Sequence, residues 1–389
     1  MSSSRQAGLL TRRQWMMAAG AGLALRRPVR SAPTAPVALA RCRQYGPDLT
    51  PTLARMFDQL GGLGRLVAGK TVAMKVNLTG NADNRFGHEP HELSYWTHPD
   101  VIGATVHLLG RAGARRIRIL ESVATGTPPL EEEMWRAGWD VDAIANAAPK
   151  VEFENTSYLG SGKEYKRLMT PCGGHIYPGF DFNHSYVDCD FFVSIAKLKE
   201  HVTAGVTLSL KNCFGSTPNT IYGDAAGEDE PALIPNGGRG RVFHRGIRQP
   251  SKSAPQENDP ATPRDDQYRV PRIVADICAA RPIHLAIIEG IETMYGGEGP
   301  WTRRWRTGRI SPGILIAGLN PVTTDAVGMA CMGYDPMAGR GAVPFETCDN
   351  TLALAEELGA GTRDLNNIEV TGERISALTY PFPRAKAAG

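Results

Sequence analysis

Short apolar runs alternate with longer amphipathic ones along the chain. The stretch KTVAMKVNL (Lys70–Leu78) is brief, alternating and β-branched, which predicts a strand. THPDVIGATVHLLGRAG follows with helical periodicity. Thr97 or His98 is placed to cap it, Pro99 stands at its first position, and Gly113 ends it. ARRIRILES predicts the next strand, residues 130–147 a helix, and KVEFEN a further strand. The second half repeats this rhythm. YVDCDFFVSIAKLK, IHLAIIEG and GILIAG predict strands, two of them apolar enough to be buried on both faces. RVPRIVADICAA and LNPVTTDAVGMACMG predict helices, the second capped by Asn320 with Pro321 at its first position, and NIEVTG a late strand. Strands joined by helical crossovers of this length specify an α/β fold, a mostly parallel sheet with helices on both faces. Residues 216–267, rich in Gly, Pro, Asn and charge, break the rhythm. They predict a long irregular insertion, and an insertion of that length commonly borders a site.

The N-terminus changes the domain picture. Arg12-Arg13 precedes a weakly apolar run from Trp15 to Leu25, too short to span a bilayer, and small residues follow. That order is the pattern of a twin-arginine export signal over residues 1–40, with cleavage near Ala38-Leu39-Ala40. It predicts the export machinery as a partner, a periplasmic or other extracytoplasmic location, and one α/β domain over 41–389. Elsewhere the 42% apolar and 21% charged content is that of a globular chain. A net charge of +3 gives no reason to expect nucleic acid as a partner, and nothing predicts a stable membrane span. Seven cysteines at wide spacing, none as C-x-x-C, write no local zinc or iron–sulfur motif. Most read as small buried hydrophobes.

The densest chemistry lies in DFFVSIAKLKEHVTAGVTLSLKNCFG (Asp190–Gly215). Read as a strand, FFVSIAKLKEH sets Lys197, Lys199 and His201 on one face. Unpaired lysines do not belong at a sheet's centre, so the row marks the carboxyl end of a strand, where open α/β sheets bind ligands. The segment after it predicts a helix capped by Thr203 and stopped by Gly215, with Thr203, Thr207 and Lys211 as one polar stripe. Gly205 in its first turn marks a place of close approach. The helix start, Lys199 and His201 are placed to address one anion. Against this stands the plainer reading of solvated strand-end lysines and a structural histidine.

The block KLKEHVTAGVTLSLKNCFG resembles the core motif of the DUF362 family, K-x-K-x-H followed by T-x-x-x-K-N-x-x-G. MKVNL, with Lys75 and Asn77, resembles the family's early strand. THPDVIGATVHLLGRAGARRIRILES, IHLAIIEGIETMYGGEGP and GILIAGLNPVTTDAVG, the last with Asp325, resemble its other segments in the right order. The resemblance spans residues 71–333 and implies the fold and the site positions Lys75, Asn77, Lys197, Lys199, His201, Thr203, Thr207, Lys211 and Asn212. This chain has Glu289 and Asn320 where the family commonly has Asp. It also lacks the ferredoxin-like cysteine clusters of many members.

Acidic residues gather at the other strand ends: Glu289, then Glu292 and Glu298 in a glycine-rich turn, and Asp325 in a helix. They are placed either to pair with the lysines or, through Glu289 and Asp325, to hold a divalent metal with His201. The pairing is the more common arrangement. HEPHE offers His88 and His91 as loop metal ligands but not the helical H-E-x-x-H spacing. No G-x-S-x-G elbow, Walker loop or dinucleotide fingerprint is present. Three functions compete on this reading. One is an enzyme acting on a small anionic ligand, carboxylate or phosphate, with His201 and Lys199 catalytic. The second is a non-catalytic maturation module that binds an anion, metal or cofactor. The third is an iron–sulfur-linked redox protein.

Overall fold

The computed structural model describes residues 33–123, 128–157, 164–235, 237–302 and 307–383. Its centre is an eight-stranded sheet built from β1 (Val37–Arg41), β2 (Thr71–Lys75), β3 (Arg116–Glu121), β4 (Val151–Asn155), β5 (Phe191–Lys197), β6 (Leu285–Gly290), β7 (Ile314–Gly318) and β8 (Val370–Gly372). The order across the sheet is β8-β1-β7-β6-β5-β2-β3-β4. Every pairing is parallel except those of β7, which runs against both β1 and β6. The mostly parallel α/β fold is therefore as the pattern predicts.

The period-two alternation of the central strands sorts side chains onto two cores. From β5, Phe191, Val193 and Ile195 join one cluster and Phe192 the other; β6 divides Leu285 and Ile287 from Ala286 and Ile288 in the same way. Helices α1 (Leu49–Gln59) and α2 (Pro99–Arg111) cover the first face through residues such as Leu53, Met56, Val101 and Val106. The second face packs against α3 (Leu208–Asn212), α4 (Asp266–Ala280) and α5 (Pro321–Cys331). Each fully buried Phe, Leu or Ile contributes about 1.5–3 kcal/mol, and this two-sided burial holds the strand ends in register. The caps also form as predicted. His98 Nδ1 accepts from the Asp100 amide, and Asn320 Oδ1 accepts from Val322 and Thr323.

Two expected helices are corrected, and two further segments are defined more closely. The folded domain starts before residue 41, because Val37, Ala38 and Leu39 are buried in β1 between β7 and β8. Cleavage near Ala38–Ala40 would cut that strand; the Arg12-Arg13 signal itself lies outside the described residues. The helix over 130–147 is two short ones, Leu130–Arg136 and Val141–Ala145, parted at Gly138, whose φ of +86° ends the first. The helix expected from Thr203 to Gly215 shrinks to α3. Glu200–His201 first pairs with Gly205–Val206 as a small antiparallel ribbon. Gly205 has φ +72°, and a Cβ there would meet the Phe345 ring at 2.5 Å, so close packing of an aromatic explains that glycine. Finally, the insertion is irregular but not loose: Ile221, Tyr222, Val242 and Phe243 are buried in the second core. All seven cysteines are free thiols, five of them buried.

Candidate functional site

At the carboxyl ends of β2 and β3, on the face shared with α3, basic side chains from four separate segments surround a cavity of about 220 Å³. Lys75 ends β2, Glu121 ends β3, Lys199 and His201 follow β5, and Lys211 and Asn212 come from α3. Arg239 and His244 reach in from the insertion, and Glu298 and Trp301 from the glycine-rich turn after β6.

The floor is a saturated polar network. The Lys75 ammonium donates to Glu121 Oε1 at 2.7 Å, to the Val76 carbonyl and to Asn212 Oδ1. Glu121 also accepts from the amides of Leu78 and Ser122. Asn212 Oδ1 accepts from Asn77 Nδ2 at 3.1 Å, and Asn212 Nδ2 donates to Ser194 Oγ at 3.0 Å. Lys199 donates to the carbonyls of Tyr95 and Glu298 at 2.8 and 2.9 Å and to Asn77 Oδ1 at 3.3 Å. Its three N–H directions are thus taken, and burial draws its pKa well below the ordinary lysine value. Lys75 and Lys199 supply field and rigidity rather than free donors.

Free donors stand above that floor. Among the described residues Lys211 has neither a hydrogen-bond acceptor nor an ion-pair partner for its ammonium, which lies 4.2 Å from the centre of the Phe214 ring. Burial lowers its pKa to about 7; Arg239 and Lys75 add to that effect, and Glu298 and Glu121 oppose it. Arg239 is anchored by Nε on Thr217 Oγ1 and by Nη2 on Ser122 Oγ and the Thr217 carbonyl. Its Nη1 has no partner among the described residues. Burial lowers its pKa to about 10, so it stays cationic at neutrality. The Thr203 amide donates to His201 Nδ1 at 3.2 Å, which puts the proton of the neutral ring on Nε2. Burial, then Lys211 and His244, hold His201 well below the usual histidine value. Burial and the same lysine push His244 down to about 3. Both imidazoles are neutral near pH 7, and among the described residues the cavity is lined by four lysine and arginine side chains and two carboxylates.

The sequence-predicted residues divide cleanly. Lys75, Asn77, Lys199, His201, Thr207, Lys211 and Asn212 line the cavity. Lys197 does not. It shares the parity of Val193 and Ile195, so it points to the α2 face, where its ammonium meets Glu289 at 2.6 Å and the Glu92 carbonyl at 2.7 Å. Glu289 is its neighbour in parallel register on β6 and also accepts from Tyr45. Thr203 lies behind His201 rather than on a polar stripe. Asp325 is buried at the start of α3, where its carboxylate accepts from the Ser209 and Leu210 amides and from Ser209 Oγ. Burial raises its pKa to about 7. Glu289 and Asp325 are each bound to protein donors on different sides of the sheet, and the structure does not bring them together with His201. Glu292 pairs with Arg309. His88 is exposed and His91 is stacked on Trp96, ring centres 4.4 Å apart. Among the described residues no group of three His, Cys, Asp or Glu is placed to hold a metal. Glu121, Ser122, Arg239, His244 and Trp301 escaped the sequence reading. The carboxyl end of the ARRIRILES strand could have pointed to Glu121 and Ser122, but the insertion has no periodicity to mark Arg239 and His244.

The chain belongs to the family described as a domain of unknown function (DUF362), whose pattern matches residues 72–330. It is 27% identical over 188 residues to the thylakoid-associated protein sll1697 of Synechocystis. That match covers 48% of this chain and 51% of the relative, so the chain spans about half the length of the curated relative it matches. Two solved structures are similar in part. The lactate racemase apoprotein of Thermoanaerobacterium thermosaccharolyticum is 14% identical, with a TM-score of 0.33 over 67% of this chain and 50% of its own. A Thermotoga maritima protein is 17% identical, with a TM-score of 0.29 over 43% of this chain and 37% of its own.

Proposed function

We propose that this protein is an enzyme acting on a small anionic substrate, carboxylate or phosphate, and that Lys211 is the group that moves a proton. The observation that carries this reading is the buried Lys211 ammonium, which borders the cavity without an acceptor among the described residues, where burial lowers its pKa to about 7. A buried lysine tuned to neutrality is suited to general acid–base work. In its neutral form Lys211 takes a proton from the substrate onto Nζ. The negative charge left behind is met by the free Nη1 of Arg239 and the Nε2–H of His201. His201 is thereby a neutral hydrogen-bond donor rather than a general base, since its Nδ1 is occupied by the Thr203 amide. Lys199 and Lys75, whose donors are taken by protein acceptors, shape the floor without touching the substrate. Asn77 and Asn212 fix both lysines.

Saturation of Lys75 and Lys199 also favours a second reading, a non-catalytic module that sequesters an anion. In that case the cavity binds but turns nothing over. No cysteine lines the cavity, and the iron–sulfur reading gains no support from the site. Export through the twin-arginine route belongs to the same proposal, supported by Arg12-Arg13 and the apolar run after it. Among the described residues no helix is long and apolar enough to cross a membrane.

Isothermal calorimetry with inorganic phosphate and with malonate at pH 7 tests the anion site. Lys211→Met and Arg239→Gln are each expected to weaken binding by roughly tenfold or more, the cost of a lost charge-assisted contact. Equal affinity in wild type and both variants would overturn the reading.

A further inference from the structure

A second cavity, of about 230 Å³, is also lined by His201. Its walls are Val202, Gly205, Gly296, Gly297, Val343 and Pro344, with Glu200, Glu346 and Thr347 among its polar groups. The two cavities share His201 and draw on one glycine-rich turn, Gly296-Gly297 for this one and Glu298 for the anion cavity. Their chemistry is opposite. The inner cavity is ringed by Lys75, Lys199, Lys211 and Arg239. Among the described residues the outer one is lined by no lysine or arginine, and it has apolar walls and carboxylates at Glu200 and Glu346. Glu200 is held in place there, because it accepts from the Gly296 amide at 2.6 Å and from the Tyr334 hydroxyl. Glu346 is exposed at the rim. Gly205 and Gly297 in its lining are close-packed against their neighbours. The former has no room for a side chain, and a Cβ on the latter would lie 2.6 Å from Thr302 Cγ2.

We infer that the two cavities form one elongated site, and that the substrate carries an anionic head for the inner cavity and an apolar stem ending in a cationic group for the outer one. This rests on the anion-site reading above and adds the shape and the far-end charge of the ligand. An anionic tail would meet the Glu200 and Glu346 carboxylates and be repelled. A short apolar stem lies against Val202, Val343 and Pro344. A terminal ammonium meets Glu346. His201, pinned by Thr203, stands where head and stem join, so its Nε2–H reads the linking atom.

Calorimetry with ω-aminoalkyl phosphates of two to six carbons, beside plain alkyl phosphates of the same lengths and inorganic phosphate, tests the inference. The aminoalkyl series is expected to gain about tenfold in affinity over the plain series at the length that reaches the outer cavity. Glu346→Gln is expected to abolish that gain while leaving inorganic phosphate binding unchanged. Val202→Trp, which fills the outer cavity from its wall, should weaken every probe longer than phosphate itself. If phosphate binds and responds to Lys211→Met, but amine and plain probes bind alike and Val202→Trp alters none of them, the elongated site is wrong and the anion site stands. If inorganic phosphate fails to bind the wild-type protein, both readings fall.

Discussion

The Lys211 ammonium rests 4.2 Å from the centre of the Phe214 ring, three residues further along the chain. The ring's negative face gives the charged form its only close partner among the described residues, and that contact is weaker than the ion pair enjoyed by Lys75. Two lysines of one cavity therefore differ in kind: Lys75 is locked to Glu121, and Lys211 is held ready to lose its proton.

The lowered pKa of Lys211 makes a stability prediction with a definite sign. The ordinary value is 10.5 and the folded value is about 7. Between those values the unfolded chain holds a proton that the folded chain has released, so stability rises with pH across that window. Below pH 7 the full cost of the buried charge is present. Lys211→Met is expected to be more stable than wild type at pH 6 and to lose the rise between pH 7 and 10. Urea unfolding at pH 6, 8 and 10 measures it, and an unchanged slope in the variant would refute the assignment.

The Lys197–Glu289 pair is structural and should behave so. Both side chains are fully buried on the α2 face of the sheet. Glu289→Gln leaves a buried ammonium short of its counter-charge and is expected to cost about 3–5 kcal/mol. Lys197→Met combined with Glu289→Gln should recover much of that loss. In the folded fraction, phosphate affinity should stay within twofold of wild type in each case. A large loss of affinity would return Lys197 to the site.

Asp325 caps α3 and so sets Lys211 and Asn212 in place without touching the cavity. Asp325→Ala strands the Ser209 and Leu210 amides and is expected to destabilise the fold by about 2 kcal/mol. Ser209→Ala removes only one of the three donors and should cost less. Thermal unfolding of the two variants checks the order.

Much of this arrangement was legible in the sequence where periodicity was strong. Seven of the eight main strands, the caps at His98 and Asn320, and the convergence of Lys75, Lys199, His201 and Lys211 follow from alternation, capping chemistry and the rule that ligands bind at carboxyl strand ends; β1 was hidden inside the stretch read as the export signal. Lys197 failed because parity was carried past the end of β5. The strand stops at Lys197, and Lys199 lies in the link to the Glu200–His201 ribbon, where two-residue spacing no longer fixes the face. The helix through Thr203 failed because its apolar spacing suits either a helix or a ribbon followed by one turn, and the packing of Phe345 on Gly205 decided for the ribbon. Asp325 was read as a ligand because its helix could be seen but not the amides it faces. Arg239 and His244 lie in an insertion whose order comes from burying Val242 and Phe243 against α4, a tertiary cause with no local pattern.

Proton uptake on anion binding tests the central claim most directly. Sulfate, which does not itself titrate near neutrality, is bound at pH 8 and the heat measured in two buffers of different ionisation enthalpy. An anion in the cavity raises the pKa of Lys211 from about 7, so wild type should take up close to one proton per sulfate and Lys211→Met none. Binding without uptake, or the same uptake in the variant, would contradict the account.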